Sequence, residues 1–177
     1  MLEIEAKIKV EDFVAIKDRL SILGAASIGQ YEETNTFFDT PARTLLAADQ
    51  GLRLRRKRDL ATKGEQFILT FKGPCQTGPL KTREERELLV ASDTDAVALL
   101  HSLGYEQIFQ FEKRREVWRL SDCEIALDEV PNLGRFVEIE GRSEAAIKIL
   151  IQELALGGRP LIRESYVALL IGNGSRR

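Results

Sequence analysis

The chain opens on a strict alternation. Leu2, Ile4, Ala6 and Ile8 are apolar, and Glu3, Glu5 and Lys7 stand between them. Successive side chains of a strand point to opposite faces, so Leu2 to Lys9 predicts a strand with one apolar and one charged face. The period then changes. Val10-Glu11-Asp12 opens a helix whose apolar stripe is Phe13, Ile16, Leu20 and Leu23, and Gly24 stops it. An extended stretch from Ala25 to Asp39 carries Tyr31, Thr34, Thr36, Phe37 and Phe38, and Pro41 ends it. Alternation returns in Gly51 to Arg58, with Arg53, Arg55 and Lys57 on one face and Leu52 and Leu54 on the other. Gln66 to Lys72 predicts a further strand, closed by Gly73-Pro74. Beyond it, Lys81, Arg83, Glu85 and Glu87 share a face.

The second half repeats this grammar. Asp93 to Leu103 predicts a helix that Ser92 or Asp93 can cap, with Val97, Leu99, Leu100 and Leu103 packing and Gly104 ending it. Gln107 to Leu120 places Phe109, Phe111, Lys113 and Arg115 on one parity. Cys123 to Val130 places Glu124, Ala126 and Asp128 opposite Ile125 and Leu127. After the turn Pro131 to Gly134, Phe136, Glu138 and Glu140 alternate with Val137 and Ile139. Ser143 caps a helix built on Ile147, Leu150, Ile151 and Leu154, which stops at Gly157-Gly158, and Arg163 to Ile171 predicts a short final helix. No linker or low-complexity stretch divides the chain, so a single domain over 1–177 is expected; the order of elements hints at two similar halves without a sequence repeat.

Composition narrows the class. With 44% hydrophobic and 31% charged residues the chain reads as a soluble globular protein. It has no apolar run long enough to span a bilayer, and Glu3 and Glu5 interrupt any signal-like start, so a cytoplasmic protein away from membranes is expected. The 26 basic and 28 acidic residues leave a net charge of -2, which does not favour nucleic acid as a partner. Cys75 and Cys123 form no motif and are expected as free thiols. The single histidine, His101, lies in a helical stretch and suits packing or the surface; a zinc site or a Ser-His-Asp triad has little to build on.

The order of the charges carries more than their number. A one-sided open sheet would scatter interchangeable Lys and Glu over its wet face. Here Arg53, Arg55, Lys72, Arg83, Lys113 and Arg115 can converge as cations, and Glu3, Glu5, Asp128, Glu138 and Glu140 as anions. Arginine suits forked contacts to phosphate oxygens, and carboxylates suit a hard divalent cation that bridges phosphates. If the strands close into a barrel, the charged face becomes the lumen and the apolar face packs under outer helices; about eight strands leave room for one small ligand. So many enclosed charges cost several kcal/mol per ion unless paired, bound to metal or wet, so such a lumen makes sense around a highly charged ligand.

This ordered set resembles the CYTH superfamily, the triphosphate tunnel metalloenzymes. Glu3-Ile4-Glu5-Ala6-Lys7 looks like the family's E-x-E-x-K signature. Arg53-Leu54-Arg55, the strand ending in Lys72, Arg83-Glu84-Glu85-Arg86-Glu87, Lys113-Arg114-Arg115, Asp128 and Glu138-Ile139-Glu140 follow in the family's order over nearly the whole chain. Phe111-Glu112-Lys113, Leu133-Gly134-Arg135-Phe136 and Glu164-Ser165-Tyr166-Val167-Ala168-Leu169-Leu170 look closest to the class IV adenylyl cyclase branch.

The resemblance implies an α+β fold: a closed eight-stranded, mainly antiparallel β-barrel tunnel with helices packed outside. It implies a Mg²⁺- or Mn²⁺-dependent enzyme converting ATP to cyclic AMP and pyrophosphate. The alternatives are hydrolysis of thiamine triphosphate, inorganic triphosphate or a nucleoside triphosphate, and non-catalytic binding of a polyphosphate. Glu3, Glu5, Asp128, Glu138 and Glu140 are the implied metal ligands, with pairing to lumenal arginines as the other role open to Asp128 and Glu140. Lys7, Arg53, Arg55, Lys72, Arg83, Lys113 and Arg115 would cradle the triphosphate, and Glu5, Lys113 and Arg115 would stand at the chemistry. Glu85 and Glu87 are supporting residues, Glu87 by holding Arg83 and its neighbours. Arg56, Lys57 and Arg58 are expected solvated in the following loop, Lys81 is unassigned, and Tyr166 is expected to pack. The partner is a small-molecule triphosphate, and a homodimer is open.

Overall fold

The computed structural model describes residues 2–174. In chain order the elements are β1 (Leu2–Val10), α1 (Val14–Ile22), β2 (Ala26–Asp39), α2 (Thr44–Ala47), β3 (Gly51–Asp59), β4 (Glu65–Lys72) and β5 (Lys81–Val90). The chain continues with α3 (Asp93–Ser102), β6 (Glu106–Leu120), β7 (Cys123–Val130), β8 (Gly134–Gly141), α4 (Glu144–Glu153) and α5 (Tyr166–Gly174). The strands close into one barrel in the order β1-β5-β4-β3-β2-β6-β7-β8, with β8 paired back onto β1. Neighbours throughout are antiparallel. Closure gives every strand a neighbour on both sides and turns the two faces of each strand into an inside and an outside.

The apolar parity faces out and is covered where helices pack on it, whereas Phe71 of β4 and Leu88 of β5 stay exposed. Ala6, Ile8 and Val10 of β1, Ile125 and Leu127 of β7 and Val137 and Ile139 of β8 pack with Ile16 and Leu20 of α1 and Ile147, Leu150 and Ile151 of α4. A smaller cluster sets Ala96 and Leu100 of α3 against Phe38 and Leu54. His101 is exposed, with its ring 6.5 Å from that of Phe38, within the surface-or-packing expectation for it. Both cysteines are free. A third cluster gathers Val130, Leu133 and Phe136 around Tyr166, with Leu169 and Leu170 of α5 beside them.

One seam is incomplete in the strands themselves. β1 pairs with β5 only from Leu2 to Glu5. Beyond that, Leu161 bridges Ile8 and the Ile162 N–H donates to the Lys7 carbonyl at 2.8 Å, so the C-terminal segment supplies the missing neighbour.

Local boundaries differ from expectation where tertiary partners decide them. α1 begins at Val14, whose N–H donates to Asp12 Oδ1 at 2.9 Å, rather than at Val10. β3 runs to Asp59 because Lys57 and Arg58 pair with Glu33 and Glu32 of β2, so these residues are not in a loop. The final helix starts at Tyr166, three residues later than Arg163. The four-residue α2 has no signature in the apolar pattern; it is tied down by buried Asp39, whose carboxylate accepts from the N–H groups of Thr40 (2.7 Å), Leu45 and Leu46 (both 3.0 Å). Replacing Asp39 by Ala strands those donors and should lower stability by about 1–3 kcal/mol, read as a lower thermal midpoint.

Candidate functional site

The charged parity of every strand faces one cavity of about 1030 Å³ that runs inside the barrel. Its wall includes Glu3, Glu5 and Lys7 from β1, Arg53, Arg55 and Lys57 from β3, Lys72 from β4, and Lys81, Arg83, Glu85 and Glu87 from β5. Lys113 and Arg115 from β6, Glu124 from β7, and Glu138 and Glu140 from β8 complete it. The barrel therefore brings the sequence-chosen residues to one place, with buried Asp128 reaching Lys113 and Arg115 in its wall.

Register explains the pairings. Glu138 lies opposite Lys7 across β8 and β1, and Lys7 Nζ sits 3.2 Å from Glu138 and 3.3 Å from Glu5. Lys81, opposite Glu5 across β1 and β5, reaches it at 3.1 Å. Burial works against charge on Glu138, but Lys7, Lys113 and Arg115 outweigh it and hold the carboxyl well below the usual range. Glu5 is likewise held low: burial and Glu138 oppose its charge, and Lys7 and Lys81 prevail.

Three other carboxyls behave oppositely. Burial pushes Glu3, Glu85 and Glu140 upward, and the group adds mutual repulsion, with Lys72 as the nearby cation that pulls Glu3 and Glu85 back. Lys72 is itself paired with Glu85. A crowded, buried excess of carboxylate is a suitable donor set for a hard divalent cation, and Glu5 Oε1, buried 3.3 Å from Lys7 Nζ, makes no hydrogen bond among the described residues. The set is not preassembled. Among the described residues no three His, Cys, Asp or Glu side chains stand close enough to hold an ion as they are, and Lys7 lies within 3.3 Å of both Glu5 and Glu138.

Asp128 has surroundings unlike those of a ligand with a vacant oxygen. It is fully buried, and its carboxylate accepts from Lys113 Nζ (2.9 Å), Arg115 Nε (2.7 Å), Arg115 Nη2 (2.6 Å) and the Tyr166 hydroxyl (2.9 Å). Its place in the structure is that of an anchor for cations, the second of the two roles its residue type allowed. Arg115 also donates to Glu138, which links this anchor to the β1–β8 carboxylates.

On the opposite wall, Arg53 Nη2 donates to Thr70 Oγ1 at 3.0 Å and to Glu87 at 3.3 Å, and the Thr70 hydroxyl donates to Glu87 at 3.0 Å. Glu87 thus holds Arg53, not Arg83; Arg83 instead donates to Cys75 Sγ at 2.7 Å and Asp49 at 3.4 Å. Arg53 Nε and Arg83 Nε are buried donors with no acceptor among the described residues. A buried, charged N–H without an acceptor is costly in isolation and is relieved by an anionic ligand.

Several site residues escaped the sequence reading. Glu33 is almost wholly buried, 3.3 Å from Arg55 and 3.6 Å from Lys113, and these cations overcome burial to hold its carboxyl far below the usual range. Asn35 Oδ1 accepts from Arg55 Nε at 3.0 Å. Their signal was available: Glu33, Asn35 and Phe37 share one parity in β2. Lys57 lines the cavity with its ammonium 3.8 Å from the Tyr31 ring centroid, while Arg56 and Arg58 point outward to Glu65 and Glu32.

A closed barrel whose lumen sorts cations against carboxylates defines a class of anion-binding tunnel, and comparison with known proteins gives it a family. The chain belongs to the CYTH domain family, which it matches over residues 1–157. A Methanocaldococcus jannaschii protein provisionally named an adenylate cyclase is 28% identical over 179 residues, covering 96% of this chain and 98% of the relative. The adenylate cyclase CyaB of Aeromonas hydrophila is 27% identical over 139 residues, 77% of this chain and 67% of the relative. Among solved structures, the PH1819 protein of Pyrococcus horikoshii superimposes with a TM-score of 0.82 at 29% identity, covering 97% of this chain and 99% of that one. The Hippeastrum protein HpAC1, described as revealing a dominant triphosphatase activity, shares the fold with a TM-score of 0.69 at 20% identity, over 97% of this chain and 95% of its own. Among the described residues no helix is long and apolar enough to cross a membrane.

Proposed function

We propose that this protein is a divalent-metal-dependent enzyme that binds a triphosphate in its barrel, of the class IV adenylyl cyclase type, making cyclic AMP and pyrophosphate from ATP. One observation carries the reading: cations from β1, β3, β4, β5 and β6 face one lumen beside the carboxylates of β1 and β8, and two of the arginines keep buried N–H groups without an acceptor among the described residues. Lys7, Arg53, Arg55, Lys72, Arg83, Lys113 and Arg115 hold the phosphate chain and stabilise the charge that builds on departing pyrophosphate. Glu3, Glu5 and Glu138, with Glu140 beside them, would hold Mg²⁺ or Mn²⁺, and binding requires Lys7 to yield its place between Glu5 and Glu138. When bound, such an ion lowers the pKa of an attacking hydroxyl and neutralises phosphate charge. Asp128, Glu33, Glu85 and Glu87 keep the cations aimed.

Hydrolysis of the terminal phosphate uses the same clamp, and the fold likeness to HpAC1 favours it as the second reading. Incubation of pure protein with ATP and Mn²⁺ separates the two. Cyclic AMP with pyrophosphate supports the cyclase; orthophosphate without cyclic AMP supports the hydrolase.

Lys72 gives a pH signature. Burial, with Arg53 beside it, pushes the ammonium down to about 8 although Glu3 and Glu85 pull the other way. Below that pH it is charged and contributes to the clamp; above it the charge is lost. Affinity for tripolyphosphate should therefore fall as pH rises past about 8, by at most about tenfold per unit for one proton. In Lys72→Arg the difference from wild type should widen over this range, because guanidinium stays charged. Calorimetric titrations of both proteins at matched pH cancel the ligand's own ionisation; parallel curves would contradict the assignment.

A further inference from the structure

Residues after 157 lie outside the family match, yet one of their side chains touches several members of the cation cradle. Tyr166 is 6% exposed, its hydroxyl donates to Asp128 at 2.9 Å, and its ring centroid lies 4.4 Å from Lys7 Nζ and 5.1 Å from Lys113 Nζ. Phe136 and Phe111 brace the ring edge-on, at 5.2 and 6.1 Å between centroids. The segment leading to it is fixed at several points. Ile162 bonds to the Lys7 carbonyl, Arg163 donates to the carbonyls of Gly78 and Gln76, and the Glu164 carbonyl accepts from Lys7 Nζ at 3.0 Å.

We infer that Tyr166 is a positioning residue of the phosphate clamp, setting Lys7 and Lys113 directly and Arg115 through Asp128, so that the C-terminal segment completes the site. The inference rests on the triphosphate reading above. Its physical basis is the kind of contact made. A phenol gives Asp128 a further donor without adding a charge to the cradle. An aromatic face holds an ammonium by its quadrupole and consumes none of its N–H groups. Simple packing of the aromatic end of the barrel would need neither the hydroxyl nor the two lysines.

The test uses the full chain and inorganic tripolyphosphate as probe. Tyr166→Phe loses the hydroxyl and keeps the ring; Tyr166→Leu loses both. Leu100→Ala, in the cluster under α3, is a control for lost stability away from the lumen. Calorimetry should show the dissociation constant rising by about fivefold to tenfold in the Phe variant and by more than about thirtyfold in the Leu variant, with no such change in the control. Ammonium NMR resonances of Lys7 and Lys113 should be retained in Tyr166→Phe and displaced or lost in Tyr166→Leu. Affinities of both Tyr166 variants within the control's range overturn the inference, whatever the resonances do. A wild type that binds no tripolyphosphate sinks the functional reading instead, and the resonances then decide: displaced in Tyr166→Leu they uphold the positioning role, unchanged they overturn it.

Discussion

Glu138→Ala should reduce turnover of the triphosphate substrate by about three orders of magnitude while leaving the fold intact. The loss is large because Glu138 serves two ends: it is a candidate metal ligand, and it holds both Lys7 and Arg115. The fold survives because neither cation is orphaned. Lys7 keeps Glu5, and Arg115 keeps Asp128. In Glu5→Ala, Lys7 retains Glu138, while Lys81 loses its 3.1 Å partner and keeps the longer-range attraction of Glu138. Circular dichroism unchanged from wild type, together with a turnover assay, checks the pair; full activity in both variants removes these carboxylates from the site.

Asp128→Ala should fail in the opposite manner, through the fold. The substitution leaves Lys113, Arg115 and the Tyr166 hydroxyl facing a buried hole, although Glu33 and Glu138 still stand near the two cations. Breaking a buried ion pair on one side costs about 3–5 kcal/mol, which for a chain of this length lowers the thermal midpoint by roughly 10 °C. Asp128→Asn keeps the volume and one acceptor and should cost less. Calorimetric melting with a metal titration distinguishes anchor from ligand. The anchor predicts a large drop in midpoint with metal affinity following only the loss of fold. A stable Asp128→Ala protein that has lost metal binding would make Asp128 a ligand after all.

The barrel was legible because its signal is local. Period-two alternation of apolar and charged residues needs no knowledge of partners, and it correctly assigned Glu3, Arg53, Lys113 and Glu138 to a common face. Ligand and anchor, however, look alike in sequence. Asp128 and Glu138 have the same parity and chemistry, and what separates them is that Asp128 lies opposite Arg115 across β6 and β7 with Tyr166 above it. That neighbourhood is set by the register across β6 and β7 and by a C-terminal segment 38 residues away, neither of which Asp128's own strand records. For the same reason Glu87 was linked to Arg83 on its own strand when its partner is Arg53, reached through Thr70 on the strand between. Lys57 was placed in a loop, yet the ladder to β2 carries its strand on to Asp59, with Lys57 opposite Glu33. Tyr166 was read as packing from a helical pattern that says nothing of what its hydroxyl meets.

On the proposed reading a triphosphate chain lies inside the barrel, against the cations and beside the β1–β8 carboxylates. A crystal structure with Mn²⁺ and tripolyphosphate, using the anomalous signal of the metal, decides this. It should show phosphate density in contact with Lys7, Arg53, Arg55 and Arg115, a metal peak bound by Glu3, Glu5 or Glu138, and Lys7 shifted from between the last two. Tripolyphosphate bound on the outer surface, with the lumenal ion pairs undisturbed, would contradict that reading.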